Sequence, residues 1–258
     1  LNFFRALCGA LLLLALCAAC GGERQGARSI TVMAASDLTP AFEELGREFE
    51  RRAGVRVLLS FGSTGNLAKQ IENGAPADLF AAANVSFVEG LERKGLLVPG
   101  TKALYARGRL TIYAPDGSPH KFERVEDLAR PEVERFAIAN PEHAPYGQAA
   151  REALERAGLW EKVKEKCVFG EDVRTAQQFA DSGNVDATLV ALSLSLRGKG
   201  RWVLVPEELH RPLDQAFAVV KAGRNQQDAR AFADFVNGPE GRPVMRKYGF
   251  TLPGETPN

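Results

Sequence analysis

The sequence predicts an α/β protein of two lobes, each a mostly parallel sheet flanked by helices, with a ligand cleft between them. Three observations carry that expectation. Short apolar runs alternate with helical patterns along most of the chain, Gly, Ser, Thr and Asp gather at the junctions, and the alternation pauses at one loop-rich interval before it resumes. Strands separated by helices pair in parallel through right-handed crossovers.

The elements follow in order. "SITVMAAS" reads as a strand, and "LTPAFEELGREFERRAG" as a helix in which Leu38, Phe42, Leu45 and Phe49 are spaced three or four apart and Gly54 ends the pattern. "VRVLLSF" is the next strand. The helix "NLAKQIENG", the strand "ADLFAAA" and the helix "VSFVEGLERKG" complete three strand-helix repeats. After the interval, "RLTIYAP" and "RFAIANP" read as strands and "GQAAREALERAGLWEKVKEK" as the longest helical pattern. "KCVFG", "DATLVALS" and "RWVLVP" read as strands, with the helix "VRTAQQFADSG" after the first of them. "DQAFAVVKAG" is a last strand, and "DARAFADFVNGPEGRPVMRKYGF" reads as two helices broken at Gly238 and Pro239. The chain is expected to cross between lobes near Arg107 to Leu110 and to return near Pro212 to Gln215. Residues 29–108 with 215–258 then make the first lobe, and 109–214 the second.

The chain has 258 residues and a formal net charge of +1, with Lys and Arg mixed among Asp and Glu. That pattern describes solvated helix faces and predicts no nucleic-acid partner. Residues 1–20, "LNFFRALCGALLLLALCAAC", carry one basic residue, Arg5, then an apolar core too short to span a bilayer, then small residues before a cysteine. This predicts an export signal. Its end, "LCAAC", resembles a bacterial lipoprotein processing site with Cys20 as the lipidated residue, and residues 21–28 read as a tether. The protein is therefore expected to be exported, periplasmic or at the cell surface, and anchored to a membrane by lipid at Cys20. Cys8 and Cys17 leave with the signal, so Cys167 is expected as a half-buried, unpaired thiol.

Enzyme chemistry is not written in the chain. The glycine turn at Gly62 to Gly65 is too short for a phosphate-binding loop, and Lys69 falls a turn into the helix. His120, His143 and His210 stand far apart, and the pair Cys17 and Cys20 lies in the export segment. The sequon at Asn84 to Ser86 is incidental behind a bacterial-type signal. No nucleophile and base pair stands out, so neither a catalytic residue nor a cofactor is expected.

Four junctions share another chemistry. "AASDLTPAF" puts Ser36 and Asp37 ahead of a helix, "FGSTGNLAKQ" puts Ser63 and Thr64 ahead of a second, "NPEHAPYGQAAREAL" brings Tyr146 to a third, and "FGEDVRTAQQFA" brings Val173 to a fourth. Ser, Thr and Asp are ordinary helix caps when taken singly. All four junctions, however, lie on the carboxyl-end side of the expected sheets, two per lobe, where open α/β folds place ligands. Free N–H groups backed by helix dipoles suit a small anion. Apart from Arg174 no arginine stands at these turns, which predicts a donor-only pocket and a fully ionised oxyanion. Spacing leaves open which of Ser63 and Thr64 faces the cleft, and the Asp37 side chain is expected to turn away and cap the helix that follows.

From about Ile30 to Phe250 the chain resembles the molybdate-binding extracytoplasmic proteins of ABC transporters. The segments "ITVMAASDL", "FGSTGNLAKQIENGAPADLF", "NPEHAPYGQAAREAL", "GEDVR", "VALS" and "KYGF" carry the resemblance. It implies a type II periplasmic-binding-protein fold that closes over molybdate or tungstate and delivers it to a membrane permease and its ATPase. It further implies that Ser36 and Thr64 bind the oxyanion through hydroxyl and N–H, and that Tyr146 and Val173 donate backbone N–H groups. Some members add a tyrosine hydroxyl in the segment matching "LVALS"; Ala191 stands there in this chain, with Ser193 nearby as a substitute. Sulfate, phosphate, or a ligand-sensing role on the same fold are the alternatives. One small anion needs no second subunit, so a monomer is expected.

Overall fold

The computed structural model describes residues 28–255. The export signal, Cys20 and nearly all of the tether lie outside the described residues. In chain order the strands are β1 (Ser29–Ala35), β2 (Arg56–Gly62), β3 (Leu79–Ala82), β4 (Ala103–Gly108), β5 (Leu110–Pro115), β6 (Phe136–Ala139), β7 (Cys167–Gly170), β8 (Ala187–Ala191), β9 (Gly200–Leu204) and β10 (Leu213–Val219). The helices are α1 (Thr39–Ala53), α2 (Thr64–Glu72), α3 (Val85–Arg93), α4 (Pro145–Arg156), α5 (Trp160–Val163), α6 (Val173–Asp181), α7 (Leu192–Ser195), α8 (Gln226–Asn237) and α9 (Gly241–Lys247). A single 3-10 turn, Ser36–Leu38, joins β1 to α1.

Two five-stranded sheets form, ordered β2-β1-β3-β10-β4 and β7-β6-β8-β5-β9. In the first, β1 pairs in parallel with β2 and β3, and only β10 runs against its neighbours β3 and β4. The second repeats the plan, with β6 parallel to β7 and β8 and with β5 antiparallel to β8 and β9. Each lobe is thus a mostly parallel sheet with one reversed strand. Those reversed strands, β5 and β10, are the ones that receive the chain as it enters each lobe from the other.

Burial follows from this order. Central strands β3, β6 and β8 are buried at every residue, while the edge strand β2 alternates exposed and half-buried positions. In the first lobe Phe42 and Phe49 meet Phe232 edge-on, and Tyr105 stacks on Phe217 with ring centroids 5.1 Å apart. Helix α1 ends as its sequence demands, at Gly54 with φ of 65°. Helix α3 begins on Asn84, whose side chain accepts from the Ser86 N–H at 2.9 Å, so the sequon asparagine is a cap.

Two elements depart from the sequence pattern. The interval read as loop contains β4, whose pairing with β10 from Leu213 opposite Gly108 to Phe217 opposite Ala103 supplies order that its local pattern does not announce. The longest helical pattern is broken: α4 stops at Arg156, Gly158 takes φ of 69°, and α5 restarts at Trp160 before a 3-10 turn at Lys164–Lys166. Glycine in the left-handed region reverses the chain, which an apolar periodicity running across it does not reveal.

Candidate functional site

The four predicted junctions converge. A small pocket between the lobes is lined by Ser36, Asp37, Ser63, Thr64, Tyr146 and Val173, with Asp172 and small neighbouring residues. Ser36 sits at the end of β1, Ser63 and Thr64 at the end of β2, and Tyr146 and Val173 after β6 and β7. Thr64 and Val173 are the first residues of α2 and α6, and Tyr146 is the second of α4. Their N–H groups therefore have no intrahelical acceptor. Three helix starts, with the positive ends of their dipoles, face one small volume.

The hydroxyls differ in what they have already engaged. Thr64 Oγ1 accepts from the Ala83 N–H at 3.1 Å, which leaves its own proton available. Ser63 Oγ lies 2.8 Å from His143 Nδ1, and Ser36 Oγ donates to Asp172 Oδ2 at 2.6 Å. Asp172 also caps α6, its Oδ1 accepting from the Thr175 N–H at 2.8 Å. One carboxylate thus fastens a helix start in the second lobe to a hydroxyl of the first.

Further contacts hold the lobes together beside the pocket. The Gly65 N–H donates to the His143 carbonyl at 2.8 Å, and Ser193 Oγ donates to the Asp37 carbonyl at 2.7 Å. Gly65 is required there, because a Cβ on it would come 2.7 Å from that carbonyl oxygen. At the crossing between lobes, a Cβ on Gly108 would fall 2.0 Å from the Tyr146 hydroxyl. Ala191 and Ser193 do not line the pocket. Ala191 is buried at the start of α7, and the Ser193 hydroxyl is spent on the cross-lobe bond.

Asp37 corrects an expectation. Helix α1 takes Leu38 at its N-cap without a side-chain bond, and the Asp37 side chain is fully buried among polar partners instead of capping. Gln215 Nε2 donates to Asp37 Oδ2 at 2.6 Å and lies 3.3 Å from the Tyr146 hydroxyl, while Gln215 Oε1 accepts from the Tyr105 hydroxyl at 2.9 Å. Burial pushes the Asp37 carboxyl from 3.8 up to about 6, against the lowering pull of Gln215 and Tyr146. Backbone geometry is the reason: the tight 3-10 turn directs the side chain inward to β10, where Gln215 awaits it. With Asp37 and Asp172 on its wall, the pocket is not donor-only.

Sequence patterning selects Val173 and passes over its neighbour Asp172, although the cap position of that aspartate was legible. It also passes over Gln215 and His143. Their partners stand 178 and 80 residues away in the chain, distances across which no local pattern runs. Cys167 is half-buried and, among the described residues, unpaired, and burial pushes its thiol up to about 12.

Comparison with known proteins places this geometry in a family. Residues 30–251 match the model of the bacterial extracellular solute-binding proteins. The molybdate-binding protein ModA of Rhodobacter capsulatus is 33% identical over 226 residues, covering 87% of this chain and 88% of that protein. The solved periplasmic molybdate-binding protein of Azotobacter vinelandii superposes with a TM-score of 0.81 at 28% identity, over 87% of this chain and 99% of that one. The sulfate-binding protein SubI of Mycobacterium tuberculosis, at 18% identity, a TM-score of 0.76 and 88% of each chain, shares the fold alone. The chain belongs to the bacterial extracellular solute-binding proteins, in the non-catalytic, extracytoplasmic molybdate-binding group of the ABC transporters.

Proposed function

We propose that the protein captures molybdate in the inter-lobe pocket, accepts tungstate as well, and delivers the anion to a membrane permease driven by its ATPase. The observation that carries this reading is the convergence of three helix starts and three hydroxyl residues on one small pocket. The space left to the centre of a water-sized occupant is about 10 Å³, on the order of one such occupant, whereas pockets for drug-sized organic ligands span roughly 300–1,000 Å³. Thr64 and Ser36 supply hydroxyl and N–H donors, and Tyr146 and Val173 supply N–H groups from the second lobe. Ser63 stands beside them, held by His143. Ser36 must release Asp172 to point its proton at the anion. Hydrogen bonds to charged groups contribute roughly 1.5–3 kcal/mol each, so five give on the order of 10 kcal/mol before the cost of association is set against them.

The lobes close by rotation about the two crossings, near Arg107 to Leu110 and near Pro212 to Gln215. The "LCAAC" segment supports lipid attachment at Cys20, which would keep the carrier beside its permease.

Calorimetric titration of the protein from Ser29 onward with molybdate, tungstate, sulfate and phosphate tests the reading, with Thr64→Ala alongside. The expected result is tight one-to-one binding of molybdate and tungstate and a loss of roughly 10–100-fold in the variant, about 1.5–3 kcal/mol. Binding of phosphate in preference to molybdate would support a second reading, in which Asp37 and Asp172 accept the proton of a hydrogen-bearing oxyanion. Silence toward all four would refute the reading outright.

A further inference from the structure

Asp37 poses a problem for any anion pocket. It is fully buried, it lines the pocket, and its Oδ1 has no hydrogen-bond partner among the described residues. Among the described residues no Lys or Arg bonds to it. A dianion beside Ser36, the preceding residue, would face an unneutralised carboxylate at low local dielectric, where repulsion is strong.

The surroundings narrow the ways out. Tyr105 from β4 and Tyr146 from α4 are the titratable neighbours, and burial raises both phenols well above their ordinary value, so they stay neutral. Strand β10 offers the uncharged Gln215, and α7 offers Ser193, which bonds to the Asp37 carbonyl. From α1, the Thr39 hydroxyl donates to the Ser36 carbonyl. Ahead of α6 stands Asp172, itself a carboxylate, occupied by Ser36 and Thr175. Gln215, Tyr146 and the N–H groups of Asp37 and Leu38 favour the Asp37 charge, but all are neutral donors, so among the described residues none cancels it as a proton would.

Resting on the oxyanion reading above, we propose that Asp37 is a proton-carrying member of the pocket. The bound dianion draws one proton from solvent onto the carboxyl, so capture takes up a proton and weakens as pH rises. The only bond made is the O–H of that carboxyl. Because the free carboxyl titrates near neutrality already, at about 6, the proton demand falls within the working range of an extracytoplasmic protein. Molybdate remains a dianion above this pH and brings no proton of its own.

Calorimetry of the wild type and Asp37→Asn with molybdate between pH 6 and 8.5, in buffers of different protonation enthalpy, provides the test. The wild type is expected to take up close to one proton at pH 8 and to lose affinity by up to about tenfold per pH unit. Asp37→Asn, which carries no charge, is expected to bind with little pH dependence and no proton uptake. Binding by the wild type without proton uptake, or equal pH slopes in both proteins, overturns the inference and leaves the transport reading intact. Absence of molybdate binding by the wild type at every pH overturns both. Should the variant fail to fold, proton uptake by the wild type decides alone.

Discussion

Gly65→Ala isolates the closed arrangement of the lobes from the stability of either one. The added Cβ would lie 2.7 Å from the His143 carbonyl oxygen, 2.9 Å from its Cβ and 3.0 Å from its Cα. Ordinary contacts begin near 3.4 Å, so the lobes must part by several tenths of an ångström at this point. That movement lengthens the hydrogen bond from the Gly65 N–H to the same carbonyl, now 2.8 Å, and pulls on the bond between Ser63 and His143. Overpacking typically costs about 1–3 kcal/mol and a lost hydrogen bond about 0.5–1.5 kcal/mol. Together they predict an affinity for molybdate roughly 10–1,000-fold weaker. Opening of the lobes relieves the clash, and alanine favours the helix by about 1 kcal/mol over glycine. Thermal unfolding of the ligand-free variant should therefore be unchanged or slightly raised, while calorimetry shows the weakened binding. An affinity within about twofold of the wild type would refute the closed geometry as the binding-competent state.

Three other outcomes follow from the buried groups. Gln215→Ala strips the Asp37 Oδ2 of its donor and leaves the Tyr105 hydroxyl with only the Ala82 carbonyl, at 3.1 Å. An unsatisfied buried group costs about 1–3 kcal/mol, so the melting temperature should fall by several degrees; an unchanged value would contradict the network. Asp37→Asn should alter the pH dependence of ligand-free stability. The folded-state carboxyl is raised from 3.8 to about 6, so its contribution is full below about pH 4 and lost as pH rises through 6, on the order of 3 kcal/mol in all. Denaturant melts should show the wild type weakening over that window and the variant not, and parallel curves would count against it. Cys167, with its thiol pushed up to about 12 by burial, should resist maleimide at pH 7.5 in the native protein and react on unfolding. Rapid native labelling would show the thiol to be more accessible than its position at the start of β7 allows.

Much of this protein was determined by its sequence alone. Period-two and period-3.6 apolar patterns, with glycine and proline at their ends, mark most strands and helices, because burial of one face is a local requirement written in local spacing. The junctions at Ser36, Thr64, Tyr146 and Val173 were legible for the same reason: each is a strand end followed by a helix start, and parallel sheets put such points on one side. Tertiary structure decided what those residues face. It ordered β4 by pairing it with a strand more than a hundred residues away, and it let Gly158 divide a helix that periodicity ran together. It sent Asp37 inward to Gln215 where local sequence offered a cap, and it joined Ser36 to Asp172 across the lobes. A cap competes only with neighbours along the chain, whereas a buried carboxylate is settled by which partners the fold delivers to it. Sequence therefore set where the donors stand, and only packing set the charge they work beside.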